Sequence, residues 1–402
     1  MNRVVVTGLG VCAALGKSIP EFAANLQKGQ SAIGPITVIP TDALNTKIGA
    51  QVPDFDGSAY LDATKLALCD RSVQFALVAS REAVKQSGID FRSGLGARTA
   101  AIIGVGVGGQ TTQDENYHRL YAENAKRLHP FTIPKLMVNA ACSHVTMEYG
   151  ITGPSFVIAS ACSSSNHAIG VAFHMVRAGV VEAAVTGGAE SVFTYGTIKG
   201  WEALRIMAPD TCRPFSLNRK GMVLGEGAAM LVIETREHAM ARGAQILAEI
   251  IGFGSTSDAG DIVLPAAEGA AGAMSACLKD AGLAPAAVDY INAHGTGTAA
   301  NDATETKAVH MVFGEHAQKL AISSTKSMHG HTLGAAGAIE LTATILAMRG
   351  GFIPPTANFT ERDPQCDLDY VPNETRQGRI EVAVSNSFAF GGHNASVAVR
   401  RA

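Results

Sequence analysis

The sequence predicts an α/β fold. Short runs of β-branched residues alternate with alanine-rich stretches of helical character along the chain, and this alternation is typical of helices packed on a sheet. Apolar residues make up 47% of the 402 residues and charged residues only 17%. That composition supplies a large core, of a size expected for two to three domains, and excludes intrinsic disorder.

Five strands and two helices are predicted for the first part of the chain. Each strand is a short apolar run, and the first helix stops at Gly88, a residue type that favours helix termination. The strands are expected at 3–7, 99–105, 153–160, 182–186 and 227–234, and the helices at 69–88 and from just after Cys162 to Gly179.

The same kinds of element begin again near residue 247. Strands are expected at 247–254, 287–292, 320–324, 379–385 and 395–400, and helices at 270–282 and 334–349. The strand, polar loop and apolar helix around Cys162 recur around His331. Because any α/β chain repeats this layout, the pattern alone leaves internal duplication open. No linker of biased composition interrupts the chain, so its parts are expected to pack together.

Charge and cysteine usage exclude several classes of protein. The net charge is −3, which provides no bulk positive field for nucleic acid. The seven cysteines are scattered without a C-x-x-C pair, so neither a disulfide framework nor a zinc ribbon is predicted. No signal peptide and no apolar run long enough for a membrane span are found, and a cytoplasmic globular protein is expected.

Two glycine patterns leave an NAD-dependent oxidoreductase as one alternative. Gly8-x-Gly10-x-x-Ala13 follows the first strand, and Gly104-x-Gly106-x-x-Gly109 follows another. A dinucleotide site needs a helix after the glycines. Gly16 and Pro20 are expected to interrupt that helix in the first case, and a polar run, 110–116, is expected to replace it in the second.

Cys162 is the predicted nucleophile. It lies among small polar residues at the junction of a buried strand and a long helix. The free N–H groups and partial positive charge of a helix N-terminus favour a thiolate. The other six cysteines are expected to be buried and inert.

Four further residues complete the predicted chemistry. His294 and His331 are each expected to follow a buried strand beside glycines that let a ligand approach. Glu340 lies in an almost wholly apolar helix, where a carboxylate needs a partner, and Lys326 is the obvious one. A cysteine hydrolase would use one His as the base for Cys162 and leave the second unexplained. A carbon–carbon-forming acyltransferase would use every group.

The motifs resemble those of the β-ketoacyl-acyl carrier protein synthase family, the type I/II condensing enzymes of fatty-acid synthesis. The resemblance covers essentially the whole chain and rests on ordered blocks. These are Ala-Ser-Ala-Cys-Ser-Ser-Ser at 159–165, Pro-Phe-Ser at 214–216, Gly-Glu-Gly-Ala at 225–228, His-Gly-Thr-Gly-Thr at 294–298, Lys-Ser-Met-His-Gly-His at 326–331 and Asn-Ser-Phe-Ala-Phe-Gly-Gly-His-Asn at 386–394.

The resemblance implies a thiolase-like fold, a duplicated five-layered α/β/α/β/α sandwich, in a homodimer. Its halves would be 1–250, carrying the nucleophile, and 251–402, carrying the two histidines. The implied reaction is decarboxylative Claisen condensation of malonyl-acyl carrier protein with an acyl group held on a cysteine. Such chemistry requires no redox cofactor and no metal.

The resemblance also implies a role for each site residue. Cys162 would accept the acyl group, His294 and His331 would bind the malonyl thioester oxygen, and Lys326, paired with Glu340, would orient the site. Further implied features are an oxyanion hole from the N–H groups of Cys162 and Phe390, a gate at Phe390, an acyl pocket at Val107 and Trp201, a carrier-docking residue at Arg205, and a structural acidic pair at Asp302 and Glu305.

The sequence departs from the housekeeping enzymes at the surface that docks the carrier. Thr64, Ala67 and Leu68 stand where Lys or Arg is usual. The segments 201–214 and 257–263 are more similar to nodulation-type ketosynthases, which build specialised acyl chains. The reaction is unaffected by these departures, whereas the acyl chain and the carrier are left open.

Overall fold

A computed structural model describes residues 1–402 of the chain. The strands are β1 (Val4–Ala13), β2 (Gly34–Pro35), β3 (Ile48–Gly49), β4 (Thr99–Gly104), β5 (Ser155–Ile158), β6 (Ala183–Glu190), β7 (Gly227–Thr235), β8 (Ala248–Ser257), β9 (Tyr290–Asn292), β10 (Ala321–Ser323), β11 (Phe352–Ile353), β12 (Arg376–Gln377), β13 (Val382–Ala389) and β14 (His393–Arg401). The helices are α1 (Ile19–Gln27), α2 (Ala63–Leu68), α3 (Arg71–Ser87), α4 (Gln110–Tyr121), α5 (Thr132–Leu136), α6 (Ala140–Tyr149), α7 (Ser164–Arg177), α8 (Tyr195–Ala203), α9 (Arg236–Ala241), α10 (Ala267–Ala281), α11 (Ala299–Phe313), α12 (Lys326–His329) and α13 (Ala336–Gly350).

Ten strands form one mixed sheet whose order reveals a duplication. The order is β10-β9-β13-β14-β8-β1-β7-β6-β4-β5. The first half contributes β1, β4, β5, β6 and β7, and the second half contributes β8, β9, β10, β13 and β14. When each set is numbered in chain order and read from the outer edge of the sheet to its middle, both have the strand order 3-2-4-5-1. The two sets meet where β1 pairs with β8 in antiparallel register, with Val4 opposite Ile250. The predicted duplicated α/β arrangement is therefore confirmed.

Helices cover both faces of each five-stranded half of the sheet. Two outer helical layers, the two halves of the sheet and one shared central helical layer give five layers. Helices α3 and α6 pack on the outer face of the first half, and α10 packs on the second, with α11 against α10. Helices α7 and α13 lie between the halves and contact each other. Their buried side chains, including Phe173 and Ile339, belong to one core that also contains residues of β1 and β14. The site residues are thus carried by the central layer and the strand ends beside it.

The first glycine pattern serves packing, not a nucleotide. Gly8 and Gly10 lie inside β1, not in a loop between a strand and a helix. A Cβ atom on Gly10 would lie 1.9 Å from the carbonyl oxygen of Ala79, and one on Gly8 would lie 2.0 Å from that of Ala83. Both glycines therefore let α3 approach the strand, so this pattern is not a dinucleotide loop.

Several predicted boundaries differ from the structure. Pro20 does not interrupt a helix, because it lies in the first turn of α1, where no backbone N–H is required. The polar run after Gly109 forms α4, contrary to the prediction. Helices α8 and α11 were not predicted, since neither shows a regular apolar stripe. The predicted strand at 153–160 shortens to β5, and the predicted helix at 334–349 begins with the 3-10 turn Leu333–Ala335.

The division at residue 250 falls inside β8, the first strand of the second half, and stays a prediction. None of the helices is both long enough and apolar enough to cross a membrane.

Candidate active site

One cavity of about 380 Å³ brings the predicted chemistry together. Cys162, His294 and His331 line it together with Phe388 and Phe390. These residues come from four separate segments of both halves, since Phe388 and Phe390 share the end of β13. Lys326 and Glu340 lie directly behind the histidines and are fully buried.

Cys162 lies on a strained turn just before α7. The 3-10 turn Ala161–Ser163 precedes the helix, and Ala161 has a φ of +49°, a conformation that alanine adopts only when its surroundings impose it. The hydroxyl of Ser163 donates to the carbonyl oxygens of Ser387, at 2.9 Å, and His393, at 2.7 Å. These bonds anchor the turn to β13 and β14 and aim the thiol into the cavity.

Desolvation acts on the Cys162 thiol against the helix terminus, which favours a thiolate. Burial raises its pKa to about 12, because no water solvates the anion. The charge of Lys326 and the N–H groups of Cys162 and Phe390 oppose this shift, whereas Glu190 adds to it. The sequence indicates the helix terminus but not the desolvation, so the reactivity of Cys162 stays a prediction. The N–H groups of Cys162 and Phe390 thus lie close enough to Sγ to stabilise negative charge there.

The loop that carries His294 is fixed by the acidic pair of α11. The backbone N–H groups of His294 and Gly295 each donate to the Glu305 carboxylate at 2.8 Å. Asp302 accepts from the N–H of Gly297 at 3.2 Å and from that of Phe215 at 2.7 Å. Both carboxylates hold backbone and stay out of the cavity, in keeping with the structural role predicted for them.

Lys326 sets the direction in which His294 donates. Its Nζ lies 3.4 Å from Nδ1 of His294. Because the ammonium has only protons to offer, Nδ1 is the accepting nitrogen. The proton of the neutral imidazole is thereby assigned to Nε2.

His331 has the same Nε2–H tautomer as His294, but a different contact fixes it. Its Nδ1 accepts the backbone N–H of Leu333 at 3.3 Å, which again assigns the proton to Nε2. Its backbone N–H donates to the carbonyl of Val223 at 2.7 Å, and its carbonyl accepts from Gly225 at 2.9 Å. His331 follows strand β10 as predicted, with the short helix α12 between them.

Both imidazoles are held neutral. Burial, reinforced by the charge of Lys326, lowers the pKa of His294 and that of His331 well below the ordinary value. Their ring centroids lie 5.4 Å apart at an interplanar angle of 84°. Two neutral N–H donors beside one cavity suit the stabilisation of a developing oxyanion. No hydrogen bond joins either ring to the thiol, so the Cys–His dyad of a hydrolase is not formed.

Lys326 and Glu340 form the predicted ion pair through Nζ and Oε1. Both side chains are fully buried, which excludes the alternative of an exposed Glu340 on a helix face. Burial raises the pKa of Glu340 to about 7, against the opposing charge of Lys326. Its second oxygen, Oε2, has no hydrogen-bond partner.

The mouth of the cavity contains three of the other predicted residues. Trp201 and Phe390 both line it and stack with centroids 6.0 Å apart. Arg205, exposed just after α8, lies at the same opening beside Lys220. Val107 is apart from this cavity in the single chain, with 41% of its side chain exposed, and its place in an acyl pocket stays a prediction.

Two residues of the site were not predicted from sequence. Phe388 packs edge-on against His294, at 6.0 Å between centroids. Glu190 ends β6 fully buried and close enough to affect the Cys162 thiol. A lone carboxylate at the end of the apolar run 183–189 was the available signal for Glu190.

Comparison with known proteins agrees with this geometry. The sequence models of the N-terminal and C-terminal domains of β-ketoacyl synthases match residues 1–239 and 247–360. Nodulation protein E of Rhizobium sp. (strain N33) is 47% identical over 403 residues, covering 100% of this chain and 99% of the relative. The 3-oxoacyl-[acyl-carrier-protein] synthase 2 of Coxiella burnetii is 42% identical over 408 residues, covering 100% and 99%.

Solved structures give the same assignment. A β-ketoacyl synthase from Burkholderia phymatum superposes with a TM-score of 0.93 at 35% identity, covering 100% of both chains. A ketosynthase in complex with its type II polyketide acyl-carrier protein and bound to a hexaketide gives 0.92 at 31% identity, again covering 100% of both. The predicted resemblance, including that to nodulation-type ketosynthases, is confirmed, and the hydrolase and oxidoreductase alternatives are set aside. The chain belongs to the β-ketoacyl synthase family and is a condensing acyltransferase with the thiolase-like ketosynthase fold.

Proposed function

We propose that this enzyme condenses a malonyl thioester with an acyl group carried on Cys162, with both substrates delivered by an acyl carrier protein. The product is a β-ketoacyl thioester for fatty-acid or specialised acyl-chain synthesis. The observation that carries the assignment of roles is the pair of neutral imidazoles, His294 and His331, beside the same cavity as the thiol.

The first step transfers the acyl group. The sulfur of Cys162 attacks the carbonyl carbon of the incoming thioester, its proton leaves with the departing carrier thiol, and the carrier carbon–sulfur bond breaks. The oxyanion that forms transiently is stabilised by the N–H groups of Cys162 and Phe390. Their effect on the thiol pKa supports this placement.

The second step forms the carbon–carbon bond. The malonyl thioester loses CO₂, and its thioester oxygen gains negative charge as the enolate forms. Nε2–H of His294 and Nε2–H of His331 donate to that oxygen. The enolate carbon then attacks the acyl carbonyl, the bond to Sγ breaks, and Cys162 recovers a proton. Lys326 keeps His294 neutral and correctly protonated, and Glu340 balances the charge of Lys326.

The carrier arrives at the mouth beside Trp201 and Phe390. Arg205 and Lys220 are exposed there, and neither forms an ion pair within the chain. Two free cations at the opening suit an acidic carrier and the phosphate of its prosthetic arm. The stacked Trp201 and Phe390 would separate to admit the acyl chain.

A homodimer is supported by the free edge of the sheet. Strand β5 is the last strand of the sheet, and Phe156 in it is 42% exposed. Helices α5 and α6 contact each other beside this edge, and they and the residues between them expose Ile133, Met137 and Met147. An unpaired strand next to an apolar patch favours a protein partner. Phe156→Asp should convert the dimer to monomer in light scattering, whereas a wild-type monomer would refute the proposal.

The test of the reaction uses mass spectrometry with a panel of acyl-carrier thioesters. The intact protein should gain one acyl mass, located on Cys162, and should then release a β-ketoacyl carrier when malonyl carrier is added. Cys162→Ala should give neither. Acylation at another residue, or full condensation by Cys162→Ala, would overturn the proposal.

A further inference from the structure

Glu190 joins two turns that come from different halves of the chain. Its carboxylate is fully buried at the end of β6. Oε2 accepts the backbone N–H of Gly106 at 2.7 Å and that of Gly334 at 3.1 Å, while Oε1 accepts that of Val107 at 3.3 Å. A single side chain thus satisfies three backbone donors, one of them in the buried turn at Gly334.

The two turns touch each other around this carboxylate. A Cβ atom on Gly334 would lie 2.2 Å from the backbone nitrogen of Gly106 and 2.6 Å from Oε2 of Glu190. A Cβ atom on Gly106 would lie 2.6 Å from the same oxygen. The glycines therefore permit an approach that any larger residue would prevent.

The turn at Gly334 is the one that orients His331. The preceding residue, Leu333, has a φ of +45°, which costs backbone strain in a branched residue and persists only where neighbours enforce it. The N–H of Leu333 is also the donor to Nδ1 of His331. Holding Gly334 in place therefore holds both the strained residue and the hydrogen bond that fixes the imidazole.

Glu190 in its ionised form also places a negative charge near the nucleophile, although burial raises its own pKa to about 7. That charge raises the pKa of the Cys162 thiol, in the opposite direction to the charge of Lys326 and the N–H groups of Cys162 and Phe390. A carboxylate that served packing alone would not be expected beside a thiol that must lose its proton. The location of Glu190 is explained if its hydrogen bonds to the turns of Gly106 and Gly334 are needed there.

We propose that Glu190 is a positioning residue: by holding the turn of Gly334 against the turn of Gly106, it fixes the orientation in which His331 donates to the thioester oxygen. This inference rests on the role proposed above for His331. Glu190 itself does not line the cavity and touches no substrate.

The test separates decarboxylation from acyl loading. Glu190→Ala should reduce CO₂ release from malonyl carrier at least about tenfold, because small displacements of a catalytic donor are costly. Acyl loading of Cys162 should change less than about threefold, since loading does not use His331. Gly334→Ala, which forces the same two turns apart, should give the same pattern and carries the test if Glu190→Ala fails to fold.

Two further variants distinguish positioning from general stability. Glu190→Gln keeps one oxygen for the Gly106 and Gly334 donors and should restore most of the decarboxylation, while raising the rate of Cys162 alkylation at a given pH. Glu234→Ala is the matched control, since Glu234 is also fully buried and pairs with Ala183 at the opposite end of β6. It should destabilise the fold without separating the two steps.

Equal losses of loading and decarboxylation in Glu190→Ala and Gly334→Ala, or no loss in either, would overturn the inference. His331→Ala is assayed in parallel. If that variant decarboxylates normally, the proposed role of His331 is wrong and the inference falls with it. If His331→Ala is impaired and the Glu190 and Gly334 variants are not, only the inference is wrong.

Discussion

The ammonium group of Lys326 contacts both the Glu340 carboxylate and Nδ1 of His294, the latter at 3.4 Å. Replacing the lysine with an uncharged residue would therefore change both the tautomer and the pKa of His294. Its ammonium donates the hydrogen bond that Nδ1 accepts, and its charge lowers the pKa of the imidazole. These contacts support the proposal that Lys326 acts through His294, as a positioning residue for the decarboxylation.

Lys326→Met is expected to change the pH dependence of decarboxylation. Removing the positive charge raises the pKa of His294 from its depressed value, so the imidazolium, in place of the neutral imidazole that the proposed mechanism uses, forms at a higher pH. The acidic limb of the CO₂-release profile should therefore move to higher pH, together with a lower maximal rate. Glu340→Gln retains Lys326 and is the comparison variant. An acidic limb unchanged in Lys326→Met would refute the assignment.

His294→Ala and His331→Ala should each impair decarboxylation far more than acyl loading. Loss of one donor to a developing oxyanion costs about 10²–10³ in rate. Acyl transfer uses other donors and should fall much less. Intact-protein mass spectrometry measures loading, and CO₂ release measures the second step. A hydrolase-type dyad makes the opposite prediction: one variant would lose acylation completely and the other would be nearly unaffected.

Alkylation of Cys162 by iodoacetamide should accelerate with pH throughout the accessible range. Since burial raises the pKa of this thiol to about 12, the thiolate fraction should grow about tenfold per pH unit below that value. Peptide mapping should find Cys162 labelled first, because it lines the cavity that admits the reagent. The measured rate would instead level off near neutral pH if the helix terminus dominated, and the desolvation argument would then be wrong.

Arg205→Glu and Lys220→Glu should raise KM for the acyl-carrier substrate, and more strongly at low ionic strength, because exposed charges are screened by salt. The kcat should change little, since neither residue reaches the reacting atoms. Lys279→Glu is the matched control, exposed on α10 and outside the cavity. A KM that is insensitive to both substitutions at low salt would place the docking surface elsewhere.

Gly10→Ala should destabilise the fold, by about 1–3 kcal/mol or more, because its Cβ would lie 1.9 Å from the carbonyl oxygen of Ala79. Gly200→Ala provides the control. Gly200 lies exposed within α8 with no atom in the way of a Cβ, and alanine there should be neutral or stabilising by up to about 1 kcal/mol. Urea unfolding measures both, and equal effects would contradict the packing argument for β1.

The sequence alone determined the α/β class and the ion pair, and it singled out the candidate nucleophile. Strand and helix periodicities are local properties, and a single carboxylate in an apolar helix needs a cationic partner wherever the helix packs, so Glu340 indicated Lys326. Cys162, His294 and His331 were recognisable because each lies in a short block of small residues and glycines that leaves room for a ligand.

The tertiary structure decided the protonation states and the supports behind them. The pKa of Cys162 depends on how much water is excluded, which no local motif records. The proton on Nε2 of His294 depends on Lys326, 32 residues away along the chain, and the contact between Gly106, Glu190 and Gly334 joins segments from both halves. These pKa values, tautomers and contacts arise only when distant segments pack into one interior from which water is excluded. Desolvation and hydrogen-bond direction are properties of the packed molecule and not of the residues themselves.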